Sequence, residues 1–284
     1  MAQRLLILIL LGATLGGCFF ARAEPKPANI ILSTYARCMM GHIEDTKWYT
    51  AYGDKAFPPG FKSPEKYTLY GLDNNTSEVK GAELNRQEYP CQSNYYVNFS
   101  PEVKGAYTAI GNHDWQPIRR KIASVDVNNK VYNKIVYDFL KQNGVSDPKV
   151  RILQIYKADI QGDGKDEVFI SATYYAENKN TPKREIVPAY AQKGDYSLIL
   201  ARMVIDEKPV HYIIAGKIHE KNTERPAPYG TEPYEYYINA ILDVNGDGAM
   251  EIVIDYSYFN GLGSFVSAMD NNQFTEKLKC GCNF

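Results

Sequence analysis

The chain has 284 residues, 44% apolar and 23% charged, the balance of a globular protein rather than a disordered one. Lys plus Arg number 32 and Asp plus Glu 33, for a net charge of −1, so no basic excess points to a nucleic-acid partner. Beyond the N-terminus no apolar run approaches the roughly 20 residues a membrane helix needs, and the 23 tyrosines favour strands over helices.

The opening MAQRLLILILLGATLGGCFFARA predicts an export leader. Arg4 supplies the positive start, Leu5 to Leu11 the apolar stretch, and Ala21-Arg22-Ala23 a small-residue cleavage site. Residues 1–23 are expected to be a signal peptide, and the mature chain to be periplasmic or secreted. Leu15-Gly16-Gly17-Cys18 offers a second reading as a lipobox, in which a lipid on Cys18 anchors the protein to the envelope. No other membrane contact is expected. Export means an oxidising compartment, where Cys38, Cys91, Cys280 and Cys282 form an even set for pairing. Cys38 with Cys91 would close a long loop. Cys280-Gly281-Cys282 admits either a direct bond or two separate bridges to the N-terminal half.

Residues 24–147 read as a β-rich region with one helix. Strands are expected at Ile30 to Tyr35, Tyr67 to Leu72, Tyr95 to Phe99 and Tyr107 to Gly111, divided by turns such as Phe57-Pro58-Pro59-Gly60 and Asp73-Asn74-Asn75. Val131, Ile135, Phe139 and Leu140 recur at helical spacing and predict a helix over Val131 to Asn143. Asn128 or Asn129 can cap it and Asn143-Gly144 can stop it. A boundary is expected near Ser146 to Pro148.

From 148 to 284 the chain carries an internal repeat. ILQIYKADIQGDGKDEVFISATYY and YINAILDVNGDGAMEIVIDYSYF each run from an apolar strand through an acidic, Gly-rich loop into a strongly β-forming strand. Two further strands are expected after each copy, Tyr196 to Ile205 with Val210 to Ile218, and Ser264 to Met269 with Phe274 to Leu278. The connectors Asn178 to Asp195 and Glu220 to Pro233 lengthen the spacing. The expected fold class is mainly β: antiparallel sheets with two four-stranded, blade-like repeats, one helix in the N-terminal half, and an arrangement that admits a propeller.

The two loops align 84 residues apart. Asp159, Gln161, Asp163, Lys165 and Glu167 match Asp243, Asn245, Asp247, Ala249 and Glu251. Calcium takes about six to eight oxygen ligands. Alternate residues of a tight turn direct side-chain oxygens inward, and the Gly after the third of them permits the reversal. Lys165 or Ala249 then offers its carbonyl, and the Glu closes the site. Two Ca²⁺ sites are expected, the tighter one at 243–251, because Gln161 places a longer amide in the first loop. An EF-hand is not indicated, since Ile170 and Ile254 stand where it needs a bidentate Glu and strands follow rather than helices.

The pattern D-x-[ND]-G-D-G-x-x-E-[IV]-V resembles the calcium loop of FG-GAP and VCBS-type repeats, as in the N-terminal propeller of integrin α chains. The resemblance covers roughly Arg151 to Phe284 and rests on the two loops, with Gln161 a departure from it. It implies loops that join the first two strands of propeller blades. Two blades cannot close a ring, so either the N-terminal half supplies more or this is a different β assembly using the same loop.

Other motifs are weaker. Gly111-Asn112-His113-Asp114 looks like the GNHD motif of binuclear metallophosphatases, but the partner motifs that would hold two metals are missing. His42, His113, His211 and His219 fall in no H-x-H or H-x-x-x-H pair, so zinc is not indicated. His211 and His219 are expected on strand surfaces. No nucleophile elbow, P-loop or dinucleotide fingerprint occurs. Tyr174-Tyr175, Tyr236-Tyr237 and Tyr256 with Tyr258 read as sheet packing, or as an aromatic face for a glycan or peptide. The expected function is binding or scaffolding at the cell envelope with structural Ca²⁺ and a protein, peptide or glycan ligand. A secreted hydrolase with a loop-borne active site is the alternative.

Overall fold

The computed structural model describes residues 28–51, 62–178, 187–224, 227 and 231–283. The leader 1–23 with Cys18, the Phe57-Pro58-Pro59-Gly60 turn and parts of the connectors 178–195 and 220–233 lie outside them.

Three antiparallel sheets form the molecule. The first contains β1 (Asn29–Ser33), β2 (Cys38–Glu44), β3 (Lys47–Thr50), β4 (Lys66–Tyr70), β5 (Thr76–Arg86), β6 (Tyr95–Ser100) and β7 (Thr108–Gly111), in the order β3-β2-β1-β7-β4-β5-β6. The second is β12-β11-β10-β9-β8, built from β8 (Ala123–Ser124), β9 (Ile152–Ala158), β10 (Glu167–Tyr174), β11 (Tyr196–Ile205) and β12 (Lys208–Ile218). The third is the meander β13 (Tyr234–Leu242), β14 (Glu251–Tyr258), β15 (Gly261–Asp270) and β16 (Gln273–Asn283). Each repeat copy therefore forms a four-stranded meander, with its acidic loop between the first and second strands. The N-terminal half supplies one seven-stranded sheet instead of further four-stranded blades.

Alternation along the strands explains the layering. Ile30 and Leu32 point into the concave side of the first sheet, against Met39, Tyr67, Leu69 and Val97. Ile31 points the other way and packs with Met40, Ile43 and Ile110 against Leu242, Val253, Val266 and Leu278 of the third sheet. The third sheet's opposite face carries Ile238, Ile241, Ile252 and Ile254 onto Phe169, Ile199 and Met203 of the second. Ile238 and Ile241 share that face because Asn239 is an extra residue, bulged out of the β13–β14 register. With both faces covered, the second and third sheets need near-continuous apolar strands such as Val168-Phe169-Ile170.

Helix α1 (Lys130–Gln142) covers the outer face of the second sheet, with Val136 and Leu140 fully buried against Ile155, Ile170 and Leu198. Asn129 caps it, its side chain accepting from Val131 N. The buried stripe is centred one position away from the expected one. Val131, read as core-facing, is 64% exposed, since at 100° per residue it lies far around the helix from Val136. Both α1 and β8 pack with the second sheet, so the change of partner falls between β7 and β8.

The cysteines pair as Cys38–Cys280 and Cys91–Cys282. Cys280 and Cys282 are two apart on β16, so their side chains leave the same face of the strand. That settles the open pairing in favour of two separate bridges, which lock the last strand of the chain to the first sheet.

Candidate metal centre

The two loops share four matching hydrogen bonds and differ at the amide of the fifth residue, where Asp163 N donates to Asp159 Oδ1 but Asp247 N donates to Asn245 Oδ1. Asp159 and Asp243 directly follow the first strand of each repeat, and Glu167 and Glu251 open the second. Asp159 accepts through Oδ1 from Gly162 N at 2.6 Å and through Oδ2 from Gly164 N at 2.9 Å. Asp243 accepts from Gly246 N at 2.6 Å and Gly248 N at 3.0 Å. Lys165 N and Ala249 N donate to Oδ1 of Asp163 and Asp247, both at 2.9 Å. Glu167 Oε2 accepts from Ile160 N at 2.8 Å, and Glu251 Oε2 from Val244 N at 2.7 Å. Gly164 and Gly248 take φ of +85° and +96°, a left-handed conformation that costs a side-chain-bearing residue about 1–2 kcal/mol. The Asp-x-x-Gly-x-Gly-type spacing thus has a direct cause: one carboxylate gathers N–H groups of a turn that only glycine enters freely.

The loops differ in what surrounds them. Gln161, Asp163 and Lys165 stand on an exposed rim and Asp159 is half-buried. At the second loop Asp243 and Asn245 are buried while Asp247 and Ala249 remain exposed. The segment from Trp115 to Arg120 lies over it and holds Asp243 at three atoms. Trp115 Nε1 donates to its carbonyl at 2.8 Å, its own N–H donates to Pro117 O at 2.8 Å, and Arg119 Nε donates to Oδ2 at 2.8 Å. Asn245 Nδ2 donates to Asp247 Oδ2 at 2.9 Å. Arg120 reaches both loops, donating to the carbonyls of Asp159, Ile160 and Gly248. Met250 N donates to Ile160 O at 2.9 Å, so the loops sit side by side. Trp115, Arg119 and Arg120 are neighbours of the loops that the sequence did not point to. The one signal was a charge balance, because a buried acidic loop needs a positive partner and its own repeat contains none next to Asp243.

Burial pushes the Glu167 carboxyl up to about 7, with Asp163 and Asp159 adding repulsion. Burial likewise holds Glu251 well above the usual carboxyl range, helped by Asp247 and Asp243. The donors are hard oxygens of the kind calcium takes, so in chemistry the loops fit the cation. Among the described residues no group of three or more His, Cys, Asp or Glu side chains is close enough together to hold a metal. At the second loop the charge on Asp243 is already met by Arg119. No ion pair among the described residues reaches Asp159, Asp163 or Glu167.

The remaining motifs have structural roles. His113, of the metallophosphatase-like tetrapeptide, sits between the rings of Tyr70 and Trp115, its Nε2 2.7 Å from Tyr70 Oη. His211 is exposed on β12 as expected, but His219 is not on a strand surface. It lies just past β12, only 3% exposed, because its backbone pairs with Gly194 and Asp195 and folds the ring inward toward Tyr175. Tyr234, Tyr236, Tyr256 and Tyr258 cluster at centroid distances of 4.9–6.3 Å. They line a cleft of about 450 Å³ between β12 and β16. Tyr256 lies across Gly263 and Gly281, where a Cβ would come within 2.3 and 2.7 Å of its hydroxyl. Comparison of the chain with family models, with curated proteins and with solved structures returns no match.

Proposed function

We propose that the chain is an exported, calcium-stabilised β module that binds or scaffolds at the cell envelope, in the periplasm or outside the cell, or tethered through a lipid on Cys18. The observation that carries the reading is the pair of loops 84 residues apart that repeat the same carboxylate-to-backbone hydrogen bonds within 0.1 Å. The resemblance to FG-GAP and VCBS-type loops points the same way, and two disulfides suit an oxidising compartment. Asp159, Gln161, Asp163, the Lys165 carbonyl and Glu167 would hold one ion. Asp243, Asn245, Asp247, the Ala249 carbonyl and Glu251 are the equivalent set. We rank the first loop ahead, reversing the order expected from the sequence, because Arg119 occupies the electrostatic role of a cation at Asp243. The ligand is a protein, peptide or glycan, and the Tyr-lined cleft is the surface offered to it, since tyrosine presents apolar faces with polar tips.

The hydrolase alternative draws no support from Asp255, a buried acid outside the loops. Asp255 spends both oxygens on Ser264 and Asn239. The test is isothermal titration of the chelator-treated protein with CaCl₂. One site is expected, absent in Asp163→Ala and kept in Asp247→Ala. No saturable heat up to millimolar calcium contradicts the reading.

A further inference from the structure

A cavity of about 480 Å³ opens where the three sheets meet. Each pair of walls is pinned by a side-chain amide. Asn74, from the first sheet's β4–β5 turn, donates to Ile122 O at 3.0 Å and accepts from Ile122 N at 3.2 Å, beside β8 of the second sheet. Gln154 of β9 donates to Ile238 O at 3.0 Å and accepts from Ile238 N at 2.7 Å, joining the second sheet to the third. Asn239, the bulged residue of β13, accepts from Thr108 Oγ1 at 2.9 Å, joining the third sheet to the first. A cavity held in this way is shaped before any ligand arrives.

Its floor carries a defined charge. Thr108 orients the Asn239 amide so that Nδ2 donates to Asp255 Oδ2 at 2.8 Å. Ser264 donates its one hydroxyl proton to Asp255 Oδ1 at 2.6 Å, so the 2.7 Å contact to Ser33 is made by the Ser33 hydroxyl. Ser33 Oγ in turn accepts from Ala36 N. Both Asp255 oxygens are therefore acceptors, the arrangement of a carboxylate, at a residue 1% exposed. At the exposed rim Asp73 is a second carboxylate, accepting from Asn75. Tyr107, Tyr156 and Tyr237 also line it, and among the described residues no Lys, Arg or His does. Alternation sends Tyr237 here and its neighbour Tyr236 to the other face, which divides the Tyr-Tyr pair between two surfaces.

Aromatic faces and carboxylates both attract positive charge, and a lining without basic residues repels none. We infer that this cavity binds a small organic ammonium ion, the cation lying against the tyrosine faces between Asp73 and Asp255. Calcium takes no part in it. The probes are choline and putrescine, titrated calorimetrically into chelator-treated protein in calcium-free buffer, with 3,3-dimethyl-1-butanol as the uncharged isostere of choline and glucose as a neutral polyol. At least one of the two ammonium probes is expected to saturate. The isostere should bind at least about tenfold more weakly, the loss of one cation–π and one ionic contact. Asp73→Asn, at an exposed rim position, should weaken the ammonium by several-fold, and Tyr156→Leu should do the same. Three results overturn the inference: neither probe saturating up to tens of millimolar, the isostere or glucose binding as tightly as choline, or both variants leaving affinity unchanged. Because calcium is absent throughout, failure here leaves the loop reading untouched, and failure of the loop reading leaves this one standing.

Discussion

Arg119 and Asp243 show how one contact can decide what a loop does. Asp243 has no exposed side chain, while Arg119 keeps a third of its own in water. Removing the cation leaves a buried carboxylate whose remaining partners are backbone N–H groups. Arg119→Met is expected to cost about 2 kcal/mol, below the range for a fully buried pair because the guanidinium was partly solvated. Chemical denaturation measures this, and Asp243→Asn in the same background should recover part of the loss. The Arg119→Met protein should also acquire a second calcium site, which the wild type lacks if the ion pair fills that role. His219 supplies a pH signature of its own. Burial pushes it down to about 4 from 6.5, with Lys217 contributing, and its Nε2 has no hydrogen-bond partner among the described residues. The unfolded chain takes up a proton near pH 6.5 that the folded one refuses until about pH 4. Its contribution is therefore intact above pH 6.5 and is lost as pH falls through that window, by about 3 kcal/mol over the whole of it. Comparing Tm at pH 7 and pH 5, His219→Phe should show a smaller drop than the wild type.

At the scale of elements, the loops are designed around backbone as much as around oxygen. Gly164 has φ +85° with open space where a Cβ would sit, so Gly164→Ala isolates the conformational cost. A loss of about 1 kcal/mol is expected in a denaturant melt. Gly246→Ala should cost more, because its Cβ would meet the Trp115 ring at 3.0 Å as well as the left-handed backbone. The strands of both repeats, four strands of the first sheet and both acidic loops were legible in the sequence because their signals are local: period-two alternation, turn residues, and an 84-residue repeat that places Asp, Gly and Glu at matching positions; β2, β3, β5 and β8 were not read from it. The β11–β12 and β15–β16 pairs, expected from Tyr196, Val210, Ser264 and Phe274 onward, occur in those stretches. The α1 stripe was legible except for Val131, where the end of an apolar pattern carried no information about which turn meets the sheet. The positions of Arg119, Arg120 and Trp115 were not legible. They lie outside the repeat, and only the packing of the first sheet against the third brings them to the loops. The burial of His219 was hidden in the same way, by pairing with Gly194 and Asp195 across the β11–β12 hairpin.

Across the whole molecule, the third sheet is the centre, with the first sheet on one face and the second on the other. The chain's last strand, β16, is bonded covalently to the first sheet at Cys38 and at Cys91, over separations of 242 and 191 residues. Taken singly, a cross-link closing a loop of this length restricts the unfolded chain by about 5 kcal/mol in the chain-entropy model. They fasten the first and third sheets and leave the acidic loops, at the edge of the second and third, to other means. Arg120 is one such means, since it joins the carbonyls of both loops; the calcium ion proposed at the first loop would be another. On the proposed function, the bound ion would stabilise the fold. A ligand bound only by the folded state at a hundredfold excess over Kd adds about 2.7 kcal/mol, which for a chain of this size raises Tm by roughly 5–10 °C. The direct measurement is a thermal melt of chelator-treated protein in millimolar CaCl₂ against EDTA, with MgCl₂ as the control because Mg²⁺ demands a tighter octahedron. Calcium should raise Tm, magnesium should not, and the Asp163→Ala, Asp247→Ala double variant should lose most of the shift. Superimposed melting curves in calcium and EDTA would contradict the account.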